Sequence, residues 1–185
     1  MLIAHRVNTI PKVYGLYYKK GVRHIEIDVQ PTKDDVIVVH HDNISAQKYN
    51  QARYTRLDDF LRFIPDDIWI NVEMKRYDDK IYVDAVLKIC SQHRGKRFFF
   101  SSFDELFYRL LRAKKGTEAG YLHEDTRSLI KAKVRDIICV HIDLLLYVDL
   151  RQYKAVYVWG LSGNIHKLKE RYDWVAGWIV DVDVD

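Results

Sequence analysis

Strand-like runs recur along the whole chain, and their number and order constrain the fold more than any other feature. Each run is short and rich in Ile, Val, Phe and Tyr, and polar or helix-period segments separate successive runs. Strands that alternate with helices form parallel sheets, and a set of eight favours closure into a (β/α)8 barrel. An open doubly wound sheet is the alternative, but it needs a glycine-rich phosphate turn after the first strand, which this sequence lacks. The predicted strands are Leu2–His5, Arg23–Val29, Trp69–Met74, Arg97–Ser101, Glu118–Leu122, Asp136–Ile142, Ala155–Trp159 and Trp174–Val180, with a short extra strand at Val36–His40.

Apolar residues have helical spacing between several of these strands. The clearest predicted helix places Leu57, Phe60 and Ile64 on one face, with Thr55 as its N-cap. The other predicted helices are Ile81–Ile89, Asp104–Leu111 and Asn164–Arg171.

The length of the chain predicts an economical version of this fold. Barrels of this type ordinarily need about 250 residues, whereas this chain has 185 and stops just after the eighth predicted strand. We therefore expect one domain, residues 1–185, folded as an abbreviated (β/α)8 TIM-type barrel that lacks the last helix. Without that helix, the outward apolar side chains of Val175–Val180 and of the first strand would face water. We expect a second copy of the chain, as a homodimer, or a rearranged segment such as Lys12–Lys20 to cover this seam.

Composition excludes several classes of protein. The 30 Lys and Arg residues against 26 Asp and Glu give a net charge of +4, which suits an anionic substrate but is too small for a nucleic-acid-binding protein. Cys90 and Cys139 lie in apolar settings and are expected to be reduced core residues of an intracellular, cytoplasmic protein. No apolar run reaches membrane-spanning length. We expect no cleaved signal peptide, because its removal would take away His5, a candidate catalytic residue.

Three carboxylates lie near the ends of predicted strands. Glu26 and Asp28 are an i, i+2 pair on the second strand, so they face the same side, and Glu73 has the equivalent position on the third. Active sites of such barrels form at the carboxyl ends of the strands. Carboxylates gathered there repel one another unless a cation joins them. An oxygen-only ligand set indicates Ca²⁺ or Mg²⁺ over zinc.

Basic and imidazole side chains lie at the same strand ends. His5 and Arg6 end the first strand, Lys75 ends the third, His40 ends the short extra strand, and His41 follows it. An arginine beside a histidine suits binding of a phosphate oxygen and proton transfer to the adjacent ester oxygen. Together with the carboxylates, these residues predict metal-assisted cleavage of a phosphodiester.

The order of these motifs along the whole chain resembles that of the glycerophosphodiester phosphodiesterases. Two positions depart from the family pattern, because Val7 replaces a glycine and only Asn8-Thr9 remains of a P-E-N-T motif. The matching segments are His5-Arg6, Glu26-Ile27-Asp28, Thr32–Asp35, His41-Asp42, NVEMK at Asn71–Lys75, SSFD at Ser101–Asp104, VYVWGLSGN at Val156–Asn164 and VAGWIVD at Val175–Asp181.

The resemblance implies hydrolysis of glycerophosphodiesters to sn-glycerol 3-phosphate and an alcohol. It selects His41 over His40 as the second catalytic histidine beside His5, and it places Trp159 in the substrate pocket. With this implication, we expect general acid and base catalysis by His5 and His41. We expect Mg²⁺ or Ca²⁺ on Glu26, Asp28 and Glu73, and substrate contacts from Arg6, Lys75 and Trp159.

Two other functions remain open from the sequence. One is a related phospholipase D-type barrel acting on lysophospholipid or sphingolipid head groups, and the other is an inactive barrel that only binds phosphorylated ligands. His123 and His141 also end strands, but we expect them to be core or surface residues. The aromatic residues Tyr14, Tyr17 and Tyr18 are expected in the core, beneath a first helix that packs on the barrel.

Overall fold

Eight parallel strands close into a barrel, which confirms the predicted fold class. The computed structural model describes residues 1–75, 81–130, 132–133 and 136–183. The first strand pairs with the last, at Leu2–Trp178, and with the second, at Ala4–Ile25, so the sheet has no open edge within the barrel. Because all eight strands run in the same direction, their carboxyl ends form a single mouth.

The strands and helices alternate along the chain. The strands are β1 (Leu2–Ala4), β2 (His24–Pro31), β3 (Ile37–Val39), β4 (Thr55–Arg56), β5 (Trp69–Met74), β6 (Arg97–Ser102), β7 (Ala119–His123), β8 (Ile137–His141), β9 (Ala155–Ser162) and β10 (Gly177–Asp181). The α-helices are α1 (Ile10–Tyr14), α2 (Leu57–Phe63), α3 (Ile81–Gln92), α4 (Glu105–Ala113), α5 (Thr126–Leu129) and α6 (His166–Arg171). A π-helical turn, Gly15–Lys19, continues α1, and a 3-10 turn, Ile142–Leu146, follows β8.

Strands β3 and β4 lie outside the barrel and extend β2 in the antiparallel direction. Val39 pairs with Val29 on one side and with Thr55 on the other. The prediction of Thr55 as the N-cap of α2 is therefore wrong, because its backbone belongs to β4. Arg56 occupies the cap position, and its side chain makes no capping hydrogen bond. Since β3 leaves the end of β2, it delivers the following residues to the barrel mouth.

Aromatic side chains fill the lower part of the barrel interior. The ring of Phe99 stacks on Trp69 at 5.7 Å and contacts Tyr157 at 4.9 Å between centroids. A Cβ on Gly120 would lie 2.8 Å from both Cys139 Sγ and the Phe99 ring, so only glycine leaves room for this packing. The floor is thus closed and apolar, and polar side chains are confined to the mouth above it.

Helix α1 and its π-helical continuation pack on the outside of the barrel through Val13 and Leu16, both fully buried. The prediction that the neighbouring tyrosines belong to the core is wrong for Tyr18, which is 73% exposed. Tyr14 is also exposed, whereas Tyr17 is only partly buried. Helical periodicity explains this, because residues 14 and 18 face outward when residues 13 and 16 face the barrel, and residue 17 lies at the edge of the buried face.

The seam beside the last strand is covered by the chain itself. Trp178 and Val180 are each only 2% exposed and pack in a cluster that includes Leu168 of α6. Ala4 of β1 lies in the same buried cluster as Leu16. The expectation of an open apolar seam, and with it the reason for a homodimer, is therefore wrong. The alternative, coverage by the segment Lys12–Lys20, agrees with the structure, although no helix follows β10 within the described residues.

Neither cysteine is bonded to the other: Cys90 and Cys139 are both buried and free. Burial raises the pKa of the Cys90 thiol to about 12, so it stays protonated. Among the described residues, no helix has the length and apolar character needed to cross a lipid bilayer.

Candidate active site

A cavity of about 490 Å³ opens at the carboxyl ends of the strands. It is lined by seven of the eight residues that the sequence singled out as catalytic, ligating or substrate-binding; the eighth, Asp28, is buried. Polar residues that follow β1 or lie on β2 and β5 line it together with apolar residues of β7, β9 and β10. Its lining consists of His5, Arg6, Glu26, His41, Asn71, Glu73, Lys75, Phe103, Leu122, Glu124, Trp159, Gly160, Leu161, Ser162, Ile179 and Asp181.

The three predicted ligands meet at one side of this cavity. Asp28 on β2 pairs in register with Glu73 on β5, and Glu26 lies one inward position below Asp28. One oxygen from each carboxylate lies within 4.8 Å of the other two, and all three residues are buried. The barrel therefore brings together three negative groups from two strands.

Hydrogen bonds orient two of these carboxylates. The backbone N–H of Arg6 donates to Glu26 Oε2 at 2.7 Å. Asn8 makes a two-point contact with Asp28: its Nδ2 donates to Asp28 Oδ2 at 2.7 Å, and its Oδ1 accepts from the Asp28 backbone N–H at 2.9 Å. Arg6 adopts a left-handed backbone conformation with φ of 51°, which is uncommon for a residue with a side chain. This strained turn points its N–H at Glu26.

The burial and mutual repulsion of the three carboxylates indicate a cation site. Burial, and then the neighbouring charges of Asp28 and Glu73, raise the pKa of Glu26 well above its ordinary value. Burial also raises the pKa of Glu73, against the opposing effect of Lys75. Glu26 Oε1 is buried and accepts no hydrogen bond from any residue that the structure describes. Three buried carboxylates, one of them with an unpartnered oxygen, fit a hard divalent cation such as Ca²⁺ or Mg²⁺.

Lys75 lines the cavity, and its ammonium contacts two of the carboxylates. Its Nζ is 2.6 Å from Glu73 Oε1 and 2.6 Å from Asp28 Oδ1. Burial alone would lower the pKa of Lys75, but the two carboxylates raise it overall, so the side chain is an ammonium. The Arg6 guanidinium, in contrast, has no ion pair within the described ranges and remains available to an anion.

His5 enters the cavity from the end of β1 and is held by a residue of the last strand. Its Nδ1 lies 2.7 Å from Asp181 Oδ1, and its Nε2 lies 3.9 Å from Glu26 Oε2. Burial lowers the pKa of His5, and Asp181 partly opposes this effect. Lys12 Nζ donates to the backbone carbonyls of His5 and Arg6, which fixes the turn after β1.

His41 reaches the cavity from the loop after β3 and His40 does not line it, in agreement with the choice that the family resemblance implied. Its Nδ1 lies 2.9 Å from Asp42 Oδ1, and this contact lowers the pKa of Asp42. His40 points away and packs edge-on against Tyr54, with 5.2 Å between ring centroids. Gln30 Nε2 donates to the backbone carbonyls of both His40 and Asp42 and thereby holds the loop.

Aromatic residues form the wall that faces the carboxylates. Trp159 packs edge-on against Phe103, at 5.5 Å, and against His141, at 4.8 Å. Gly160 follows Trp159 with a φ of +82°, and a Cβ there would collide with the His141 ring. Trp159 lines the cavity, as expected, whereas His141 is not among the lining residues.

Sequence analysis missed three residues of this site. Asp181, which holds His5, ends a strand that was identified, but strand position alone does not show which residue it meets. Asn8 was noted only as the remnant of a motif, and its contact with Asp28 depends on barrel closure. Phe103 lies in the SSFD segment and had no signal of its own. His123 is buried outside the mouth, beside Ser128, in agreement with the expectation of a non-catalytic residue.

Comparison with known proteins agrees with the family resemblance. Residues 8–59, which include Glu26, Asp28 and His41, match the model of the glycerophosphoryl diester phosphodiesterase family. No protein among the curated sequences matches the chain significantly. The resemblance inferred from the sequence is confirmed by this match and by solved structures that bear the family name.

Three solved structures illustrate the similarity. A glycerophosphodiester phosphodiesterase from Parabacteroides distasonis is 18% identical, with a TM-score of 0.79, over 97% of this chain and 92% of its own. One from Thermotoga maritima is 23% identical, with a TM-score of 0.72, over 97% and 93%. A phosphodiesterase from Oleispira antarctica, solved with the product sn-glycerol-3-phosphate, is 17% identical, with a TM-score of 0.76, over 98% and 92%. At these identities the comparisons establish the barrel fold.

Proposed function

We propose that this chain is a phosphoric diester hydrolase that converts glycerophosphodiesters to sn-glycerol 3-phosphate and an alcohol. The observation that carries the proposal is the pair of aspartate-held histidines, His5 and His41, lining one cavity beside a buried three-carboxylate cluster. This combination supplies proton transfer and a cation site within one mouth. The family match over residues 8–59 supports the same substrate class.

The chain binds the phosphate through its positive side chains. Arg6 lines the cavity and has no competing ion pair among the described residues, so its guanidinium can pair with two non-bridging oxygens. A divalent cation on Glu26, Asp28 and Glu73 would supply Lewis-acid polarisation of the phosphoryl group. These groups would stabilise the negative charge that develops on the non-bridging oxygens, because they are positioned before the reaction begins.

The two histidines move the protons. In a neutral imidazole whose Nδ1–H donates to a carboxylate, Nε2 is left as the proton acceptor. His5 and His41 each have an aspartate at Nδ1, so both are set to work through Nε2. One histidine removes a proton from the attacking hydroxyl, and the other, protonated, donates to the ester oxygen of the leaving alcohol. After release of the products, both histidines return to their starting protonation states by proton exchange with water.

The wall formed by Trp159 and Phe103 contacts the organic part of the substrate. Their rings and the nearby Leu122, Leu161 and Ile179 make this side of the cavity apolar. Carbon atoms of the glycerol or of the alcohol can pack there while the phosphate faces Arg6.

The test is the release of choline from glycerophosphocholine and of ethanolamine from glycerophosphoethanolamine. Hydrolysis should stop in excess chelator and return with added Mg²⁺ or Ca²⁺. Glu73→Gln should need more cation for half-maximal rate, because it removes one ligand charge and keeps the side-chain volume. Lysophosphatidylcholine serves as the comparison substrate for the phospholipase D-type alternative. Release from lysophosphatidylcholine alone would favour that alternative. No release from glycerophosphocholine or glycerophosphoethanolamine with cation present, or full activity in chelator, would contradict the proposal.

A further inference from the structure

The ammonium of Lys75 contacts carboxylate oxygens that a bound cation would also contact. Its ammonium is 2.6 Å from Asp28 Oδ1 and 2.6 Å from Glu73 Oε1, two residues of the candidate cation-binding set. The backbone N–H of Lys75 donates to the Val29 carbonyl at 3.0 Å, which anchors the residue to β2. The lysine is therefore tethered where its side chain reaches both carboxylates.

An ammonium and a divalent cation compete for these oxygens. Hard cations bind carboxylate oxygens at about 2.0–2.6 Å, the same range as the two Lys75 contacts. Both ions would then lie within a few ångströms of each other in a buried site, where charge repulsion is poorly screened. This repulsion makes binding of one ion oppose binding of the other.

We propose that Lys75 is a tethered competitor of the divalent cation, which displaces its ammonium from Asp28 and Glu73 and releases it toward the cavity. This inference rests on the cation site of the proposed function. The released ammonium is then available to the substrate phosphate, because Lys75 already lines the cavity. Cation binding and phosphate binding are thereby coupled, with Lys75 as the positioning residue that links them.

The competing explanation is that Lys75 is a fixed support. In that case the lysine holds Asp28 and Glu73 in place for the cation, and its removal weakens cation binding. The competitor role predicts the opposite sign, because removing the ammonium leaves the full negative charge of the carboxylates for the cation. The sign of the change in affinity separates the two roles.

The experiment is calorimetric titration of the full chain with Mg²⁺ and with Ca²⁺, with no substrate present. Lys75→Met removes the charge and keeps the length of the side chain, and should bind cation about tenfold more tightly, or about 1.4 kcal/mol. Lys12→Met is the matched control, since Lys12 contacts the carbonyls of His5 and Arg6 but none of the three carboxylates. A change in Lys12→Met as large as that in Lys75→Met, or weaker binding by Lys75→Met, would overturn the competitor role.

Folding of the variant is measured separately. Without its ammonium the carboxylate cluster loses its partner, so Lys75→Met should have a lower melting temperature than the wild type in chelator. Added cation should raise that melting temperature by more in Lys75→Met than in the wild type, or refold the variant if it is unfolded in chelator. Failure of cation to do either overturns the inference. Because none of these readouts uses hydrolysis, a chain with no phosphodiesterase activity can still support it, and an active chain can still refute it.

Discussion

The two cavity histidines are each held by an aspartate, but the two pairs are built differently. His5 and Asp181 are 176 positions apart and meet only because β1 closes against β10, whereas His41 and Asp42 are neighbours in one loop. The His5 side chain is 17% exposed and that of His41 is 35% exposed. The closing pair, His5 and Asp181, therefore depends on closure of the whole barrel. The loop pair, His41 and Asp42, depends on Gln30 and on β3, the strand that precedes the loop. The same histidine–aspartate contact is thus obtained with very different dependence on the fold.

Loss of either histidine should have the largest effect. His5→Ala and His41→Ala should each reduce kcat by about two to four orders of magnitude, the usual range for a general acid or base. Steady-state hydrolysis of glycerophosphocholine measures this. His40→Ala is the control for the second histidine, and it should retain turnover because His40 packs against Tyr54. An inactive His40→Ala variant together with an active His41→Ala variant would reverse the assignment of the two histidines.

Loss of the aspartates should separate the two pairs. Asp181→Asn should reduce kcat by about 10- to 100-fold, because a hydrogen bond to a charged group contributes about 1.5–3 kcal/mol. Asp42→Asn should have a smaller effect, since water can replace the lost partner more readily at the more exposed His41. KM for both variants should change little. Equal losses in the two variants would show that barrel closure adds nothing to the orientation of His5.

The pKa of His5 should respond to Asp181 and not to Asp42. Burial lowers the pKa of His5, and the Asp181 carboxylate raises it again in part. Asp181→Asn removes this opposing charge, so the pKa of His5 should fall further below its ordinary value. Between the ordinary and the lowered pKa, the unfolded chain binds the proton and the folded chain does not, so His5 makes the protein less stable as pH falls through this window. Titration of the His5 ring by NMR measures the shift, and a rise in Asp181→Asn would contradict it.

The smallest expected effect lies beside the loop pair. His40→Ala removes an edge-on contact with Tyr54, and such aromatic pairs contribute about 0.5–1.5 kcal/mol beyond their buried area. Thermal unfolding should show a lower melting temperature, with kcat within about twofold of wild type. His24→Ala is a suitable comparison, because His24 also contacts an aromatic ring, that of Trp69, on a barrel strand far from the loop. A large loss of turnover in His40→Ala without loss of stability would place His40 in the site.

Much of the fold followed from local sequence. Short runs rich in Ile, Val, Phe and Tyr identified all eight barrel strands, although several ends moved by one to three residues; the last strand begins at Gly177 and not at Trp174. Helix signals worked where the chain supplies its own cap, as at Asp104, whose carboxylate accepts from two backbone N–H groups of α4. They failed at Thr55, because pairing with β3 overrode the capping preference.

The sequence by itself determined which groups reach the mouth of the barrel. The i, i+2 spacing of Glu26 and Asp28 on a strand dictates a shared side, and parallel strands place their carboxyl ends together. His41 and Asp42 are adjacent in sequence, so their contact does not depend on closure of the barrel. Short-range geometry follows from backbone periodicity, which one sequence displays directly.

Only the tertiary structure determined which residues are in contact across the barrel. The contacts of His5 with Asp181 and of Asn8 with Asp28 need closure of the sheet. The contacts of Lys75 with Asp28 and Glu73 depend on burial, because a buried carboxylate is stabilised by pairing with a positive charge. Coverage of the seam beside β10 likewise arises from how α6 and the segment after α1 pack. Long-range contacts depend on register, closure and desolvation, and none of these leaves a periodic signal in the chain.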